Sequence, residues 1–388
     1  MVKKNKQLFL IILLFIMSFS IKANDEIQFS IITIGPYESE LYSAFGHSGI
    51  RYVDKKNNID HFYNYGIFDF NQPNFYVNFL NGKLLYMVAK YDYRTAEKYY
   101  INEDRYIKEQ VLSLNESQKI LLYNILEQNI RPENRTYLYN YVYDNCATKI
   151  RDVLNNVYGE SLSFTSEPEN KSFRQLMDLY LKNNKWGDLG IDICLGPEID
   201  DYVSFDEEMF LPEYLFKGVE DALLDGNKKI VSQTNIINSQ KEEFISGFLS
   251  PFYVLLIFLI LSIYFSFRQV KYGVKYFLFD FSYLFISGII GCLLVYLWFF
   301  TDHLSSYNFN IIWAMPFNII IAVVMLKNQK VNFVKWYFFF YGILLSALLI
   351  LWKWIPQNLS EVLILFILGI IIRPVSYTHL TLPTNREV

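Results

Sequence analysis

His47, in the run YSAFGHSGIRYVD, and Cys146, in YVYDNCATKIRDVL, are the residues whose types suit covalent chemistry. A thiol becomes a nucleophile when an imidazole takes its proton and when unpaired N–H groups at a helix start favour the anion. Asn145-Cys146 stands where a helix is expected to begin, with Ile150, Val153, Leu154 and Val157 as one apolar stripe over Cys146–Val157. His47 falls at the start of an expected strand hairpin, between Gly46 and Gly49, which remove bulk around the ring, and is placed to act as general base. Spacing alone leaves other readings open. Cys146 could be an inert buried thiol or half of a disulfide with Cys194, a bond that exported domains permit. His47 could be a satisfied structural histidine. Cys292 lies in an apolar run, where packing is the plainer reading.

A histidine base needs a polar partner to fix its tautomer. By strand alternation Asp60, Phe62 and Asn64 share one face of the returning strand, so Asn64 and Asp60 are the candidates. Asp69, in GIFDF, reads as a turn cap. Arg51 suits a substrate phosphate or carboxylate, and equally an ion pair with Asp54. Tyr42, Ser43 and the backbone N–H of Cys146 are candidate oxyanion contacts.

The elements that must position these residues mix strands and helices, an α+β pattern. Gln28–Gly35 reads as a strand, Gly49–Val53 and Ile59–Tyr65 as a hairpin about the turn Asp54–Asn58, and Leu84–Tyr91 as a further strand. Tyr93–Tyr100 fits a strand or a short helix. Ser113–Gln128, Cys146–Val157 and Phe173–Leu181 read as helices, Leu189–Pro197 as a loop, and Glu220–Gln240 as a polar lead toward a membrane. Phe68–Leu80, rich in Phe, Tyr and Asn, is expected to wrap one side of a cleft and to line an apolar channel.

The 388 residues are 52% hydrophobic and 18% aromatic, and these averages conceal a split into a polar, globular part and an apolar part beginning near Phe244. A net charge of −4 leaves no nucleic-acid footprint. Lys3, Lys4 and Lys6 before the apolar core Leu8–Phe19 make an export signal, either cut after Ala23 or kept as an anchor. Spans are expected at Phe248–Phe267, Phe277–Phe300, Ile311–Leu326, Trp336–Trp354 and Leu359–Ile372. Arg268, Lys271 and Lys275 share one loop and Lys327, Lys330 and Lys335 another, while Thr301–Asn310 and Ile355–Glu361 hold no Lys or Arg. The basic loops are therefore cytoplasmic and the globular part external, in agreement with the signal. Asp302, His303, Asn308 and Asn310 then lie on the external side, as interfacial caps or as contacts to a lipid headgroup or a lipoprotein N-terminus. One His and one Asp make a poor metal site, so neither metal nor cofactor is implied.

The tail RPVSYTHLTLPTNREV breaks off abruptly from the last span, and SYTHLTLPTNREV within it reads as translated adaptor, so His379 carries no functional weight and the native chain is expected to continue beyond Arg373. The expected organisation is a signal or anchor at 1–23, an extracytoplasmic Cys–His domain at 24–245, a helical membrane domain at 246–373 and a non-native tail at 374–388.

YSAFGHSGIRYVD, YNYGIFDFNQPNFYVNFLNGKLLY and DNCATKIRDVL together resemble the DUF4105 family, associated with Lnb-type lipoprotein N-acyltransferases, over about residues 28–215. FFTDHLSSYNFNIIWAMPFN is similar to the membrane part of its Bacteroidota-type members. The resemblance implies a circularly permuted papain-like (NlpC/P60-like) domain in which the His precedes the Cys, followed by transmembrane helices. It implies His47 as base and Cys146 as acyl-accepting nucleophile. It also implies a bacterial inner-membrane location with the catalytic domain in the periplasm, phospholipid as acyl donor and diacylglyceryl-cysteine lipoproteins as acceptors. The rival readings are a Cys–His cell-wall peptidase or amidase and a non-catalytic lipid- or lipoprotein-binding membrane protein.

Overall fold

The computed structural model describes residues 26–37, 40–240, 249–327 and 332–379. The expected export signal, the boundary at 245/246 and the end of the tail lie outside them. An external α+β domain built on one seven-stranded sheet is followed by an all-α region of long apolar helices.

The sheet strands are β1 (Ile27–Ile34), β2 (His47–Asp54), β3 (Ile59–Ile67), β4 (Leu85–Asp92), β5 (Ile107–Leu112), β6 (Thr136–Leu138) and β7 (Val231–Asn238), in the order β7-β5-β1-β2-β3-β4-β6. Besides the single turn Phe205–Glu208, the external helices among the described residues are α1 (Phe75–Leu80), α2 (Tyr93–Asn102), α3 (Glu116–Asn129), α4 (Cys146–Tyr158), α5 (Phe173–Tyr180), α6 (Lys185–Cys194) and α7 (Pro212–Asp221). Strand alternation divides the core. Phe29, Ile31, Ile50, Tyr52, Tyr63 and Tyr65 face α3, α4 and α7, while Ile32, Ile34, Phe62 and Ile107 face Tyr93 and Tyr100 of α2. The sheet is thus covered on both sides, in keeping with the apolar residues that β1 carries on both faces, Phe29 and Ile31 on one and Ile32 and Ile34 on the other.

One open reading is resolved and two segments depart from expectation. Of the two alternatives at Tyr93, the helix is found, over Tyr93–Asn102, started by the Asp92 side chain accepting the Thr95 N–H. Helix α6 runs through 189–194, the first part of the expected loop Leu189–Pro197, because Asn184 caps its start and Leu189 packs into the membrane bundle, contacts that its two glycines conceal. The polar lead after Glu220 contains β7, which pairs with β5 at the sheet edge, where one side stays in water and polar residues are tolerated.

The membrane helices are α8 (Pro251–Tyr272), α9 (Phe277–Phe300), α10 (Phe317–Lys327), α11 (Asn332–Ile350) and α12 (Leu363–His379). Among the described residues, four apolar stretches, 251–272, 277–300, 309–326 and 333–350, are long enough to span. The 22 residues of α8 reach about 33 Å at ~1.5 Å each, against a hydrocarbon core of about 30 Å. The fully buried Arg373 of α12 holds Asp280 of α9 through two bonds of 2.6 and 2.7 Å and also reaches Gln269 of α8 at 3.0 Å. A charge in hydrocarbon persists only with such partners, and this one ties three helices together.

Breaking a buried ion pair from one side costs about 3–5 kcal/mol, whereas replacing both partners by apolar groups is nearly neutral. Asp280→Ala is therefore expected to lower the melting temperature of the detergent-solubilised protein clearly, and Asp280→Leu combined with Arg373→Met to recover most of the loss. A native melting curve for the single variant would remove the pair from its bundling role.

Candidate active site at the start of helix α4

Helix α4 begins at Cys146 because Asn145 ends the extended chain and caps the first helical turn. Its side-chain oxygen accepts from the N–H of Ala147 at 2.8 Å and of Thr148 at 3.0 Å, and the Thr148 hydroxyl accepts from the Asn145 N–H at 2.8 Å. The amide nitrogen of the same side chain donates to the carbonyls of Tyr141 and Phe210, both at 2.9 Å. Asn145 is itself buried, so the helix start is anchored from two directions.

The Cys146 thiol is 7% exposed and has no disulfide; Cys194, the alternative partner, is also free. Burial pushes the thiol pKa up, against the backbone N–H groups of Ser48, Ala147 and Cys146 itself and the charge of Arg105, which favour the anion. A Gly66 side chain would lie 3.5 Å from Cys146 Cβ and 3.5 Å from the Tyr139 ring. Gly66 also has φ +81, a conformation that disfavours other residues, so glycine leaves the thiol its space beside β3.

His47 is the first residue of β2, opposite Ile34 of β1. Its Nε2 lies 2.5 Å from Asn64 Oδ1. An amide oxygen only accepts, so the neutral ring carries its proton on Nε2 and presents a lone pair on Nδ1. Burial lowers the ring pKa to about 4, outweighing the bond to Asn64, which raises it, and Arg105 adds a smaller lowering. Asn64 also hydrogen-bonds Tyr100, whose ring centroid is 6.3 Å from that of His47. By register His47 and Asn64 belong to the α2 face of the sheet, whereas α4 packs on the opposite face. The two faces meet at the end of β2, where the thiol touches Ser48, the residue after His47. Among the described residues no hydrogen bond joins the ring and the thiol directly.

The other expected residues are distributed differently. Asp60 is engaged by Arg51, with both contacts at 2.8 Å, and Arg51 also bonds Glu109 at 3.0 Å. Arg51 is thereby committed to two carboxylates, and Asp54 instead holds the turn through Asn57. Gly49 leaves room for the Phe62 ring rather than for His47. The Ser43 hydroxyl faces the carbonyls of Tyr37 and Glu40, and Tyr42 is exposed with its ring edge-on to Phe68. Asn308 and Asn310 are buried and donate to the carbonyls of Ile193 at 2.7 Å and Asp192 at 2.8 Å, so they fasten the membrane domain to α6. The Asp302 N–H donates to Asn81 O at 3.0 Å, and His303 Nε2 to Phe79 O at 3.1 Å. A separate apolar cavity of about 490 Å³ lies among Trp298, Tyr307, Ile312 and Pro356 and shares no lining residue with the thiol site.

Tyr100 and Arg105 were not foreseen. Arg105 is buried, donates to Gly35 O at 2.6 Å and acts on both His47 and Cys146. Nothing in the run EDRY distinguishes such an arginine from a surface charge.

Because folding lowers the His47 pKa from 6.5 to about 4, the unfolded chain binds more protons in that window. Its contribution to stability is complete above pH 6.5 and is lost as pH falls toward 4. Denaturant titrations of the native protein and a His47→Gln variant should diverge over that range, and parallel curves would refute the shift. Separately, Cys146 at pH 7 should alkylate more slowly than an unfolded cysteine, since its thiol is held protonated.

Residues 20–178 match the family described as the Lnb N-terminal periplasmic domain, and residues 241–385 match the Lnb transmembrane domain. No curated protein and no solved structure matches the chain.

Proposed function

The chain belongs to the Lnb family, and from that premise we propose that it transfers a fatty acyl group from a membrane phospholipid to the N-terminal amine of a diacylglyceryl-cysteine lipoprotein. In this reading the α+β domain is a circularly permuted papain-like unit on the periplasmic side of a bacterial inner membrane. Membership supports the coarser part, a membrane-associated role in lipoprotein modification. The observation that carries the finer part is His47 with Nε2 committed to Asn64 and Nδ1 left as a base, one residue from the strand position whose N–H faces the Cys146 thiol.

His47 and Cys146 rest as a neutral imidazole and a thiol, so proton transfer accompanies attack rather than preceding it. Sγ forms a bond to the ester carbonyl carbon while the thiol proton passes to His47. The ester C–O bond then breaks, and His47 returns the proton to the departing lysophospholipid oxygen. Backbone N–H groups at the start of α4 stabilise the oxyanion; the Cys146 N–H suits this role because Asn145 already takes those of Ala147 and Thr148. A neutral lipoprotein amine next attacks the thioester, the C–S bond breaks and the amine proton returns to sulfur through His47. The burial that raises the thiol pKa also keeps out water, which would otherwise hydrolyse the thioester. The ring and thiol come together in the substrate-bound state, since catalytic hydrogen bonds tighten there. Asn64 acts on the ring as its positioning partner.

The test is the intact mass of a lipoprotein N-terminal peptide from cells lacking other N-acylation activity. One added acyl group is expected with the native protein and none with Cys146→Ala at equal membrane levels. Asn64→Ala should slow the reaction by about 10²-fold or more, the scale of a displaced general base. An unchanged peptide mass across native protein and Cys146→Ala would sink the assignment.

A further inference from the structure

The segment Phe70–Gly82 contains no charged residue, and within it α1 buries none of its own side chains. Tyr76 is 80% exposed, and Phe70, Val77, Phe79 and Leu80 are exposed with it. In water such a patch is unfavourable, and contiguous exposed apolar surface marks a contact surface. Its position identifies the contact. Asn81, directly after α1, receives a 2.5 Å bond from the Tyr296 hydroxyl in the last turns of the span α9. It also accepts from Asp302 N–H, and Phe79 O accepts from His303, both in the external loop that follows that span. Tyr296 stacks on Phe300, itself exposed at the external end of the span. The apolar surface of the membrane helix therefore continues through Tyr296 to α1 at the level where the span leaves the hydrocarbon. Aromatic side chains with scattered amide groups suit that level.

A second observation links α1 to the thiol. Phe79 stacks on Phe75 at 6.5 Å, Phe75 meets Phe68 at 5.9 Å, Phe68 meets Tyr86 at 5.2 Å, and Tyr86 stacks on Tyr139 at 4.0 Å. Tyr139 and Cys146 both border Gly66, each 3.5 Å from the place of its missing side chain. The ring series is continuous from the exposed helix to the neighbour of the nucleophile.

We propose that α1 is seated in the outer-leaflet interface as a phospholipid docking surface, and that the ring series Phe79–Phe75–Phe68–Tyr86–Tyr139 conducts a docked acyl chain toward Cys146. The first half stands on the surface alone, and the second rests on Cys146 being the acyl acceptor. The ring faces offer apolar contact along the whole path and no charged group to hold a headgroup there, so the ligand is the hydrocarbon of a phospholipid. The headgroup stays outside, near Lys83 and Asp302.

The full-length protein is reconstituted in phosphatidylethanolamine–phosphatidylglycerol vesicles containing a phosphatidylethanolamine with a diazirine at the end of one acyl chain. It is then irradiated and mapped by mass spectrometry. Adducts are expected within residues 70–80 as well as in the spans. They should fall several-fold there in a Tyr76→Glu, Phe79→Glu variant while adducts on α9 stay constant. Adducts confined to the spans would overturn the proposal, as would undiminished labelling of 70–80 in the variant. The same variant should lose acyl transfer from vesicle phospholipid several-fold yet keep the native rate of Cys146 alkylation by a small soluble reagent. A parallel fall in alkylation would show a collapsed site and overturn the conducting role. If labelling behaves as expected but Cys146→Ala leaves lipoproteins unchanged, α1 docking stands and the acyltransfer reading fails, so the two are separable.

Discussion

The buried side chain of Asn145 is the constraint on which the site depends. Its oxygen takes two N–H groups of α4 and its nitrogen takes two carbonyls from separate segments, so all of its hydrogen-bonding capacity joins the helix start to the rest of the domain. Serine or aspartate could cap the helix, but neither offers two donors to the Tyr141 and Phe210 carbonyls, which would then be left without them. Helix α4 consequently starts at one residue and no other, and that residue is the cysteine. The Ser48 contact, the gap at Gly66 and the approach of Tyr139 follow from that fixed origin.

Burial then sets the resting chemistry. Desolvation disfavours the charged form of both groups, raising the thiol and lowering the imidazole, and Arg105 acts on each in turn. An ion pair at rest would be ready to react with water-borne electrophiles. A neutral pair instead waits for a carbonyl that can accept charge as the proton leaves. In the acyl transfer proposed above, this arrangement would couple reactivity to the arrival of a substrate that excludes water.

The membrane region does more than tether the external domain. Buried Asn308, Asn310 and Gln357 satisfy the last carbonyls of α6 and its C-terminal loop, groups that a helix end otherwise leaves unpaired. Leu304 inserts into the core beneath α5. On another side of the same loop, Asp302 and His303 hold the end of α1. One short external loop thus reaches both the helical base of the domain and the aromatic segment at α1.

By itself the sequence determined what depends on local pattern. The hairpin of β2 and β3, the helix opened by Asn145, and the apolar runs 251–272, 277–300, 309–326 and 333–350 follow from alternation, capping and hydropathy, which neighbours along the chain decide. The choice of Asn64 over Asp60 beside His47 was narrowed by alternation but settled by tertiary contact, because Arg51, which also bonds Glu109, claims Asp60 from the neighbouring strand. Helix α6 and strand β7 were illegible for a related reason: their stabilising partners, the membrane bundle and β5, are distant in the chain. The same holds for Arg105, whose role depends on burial, and for Asn308 and Asn310, whose polar side chains suggested a ligand but serve carbonyls of α6. Local periodicity reports which way a side chain points; only the folded chain decides what it meets there, since desolvation and hydrogen-bond pairing depend on atoms far along the sequence.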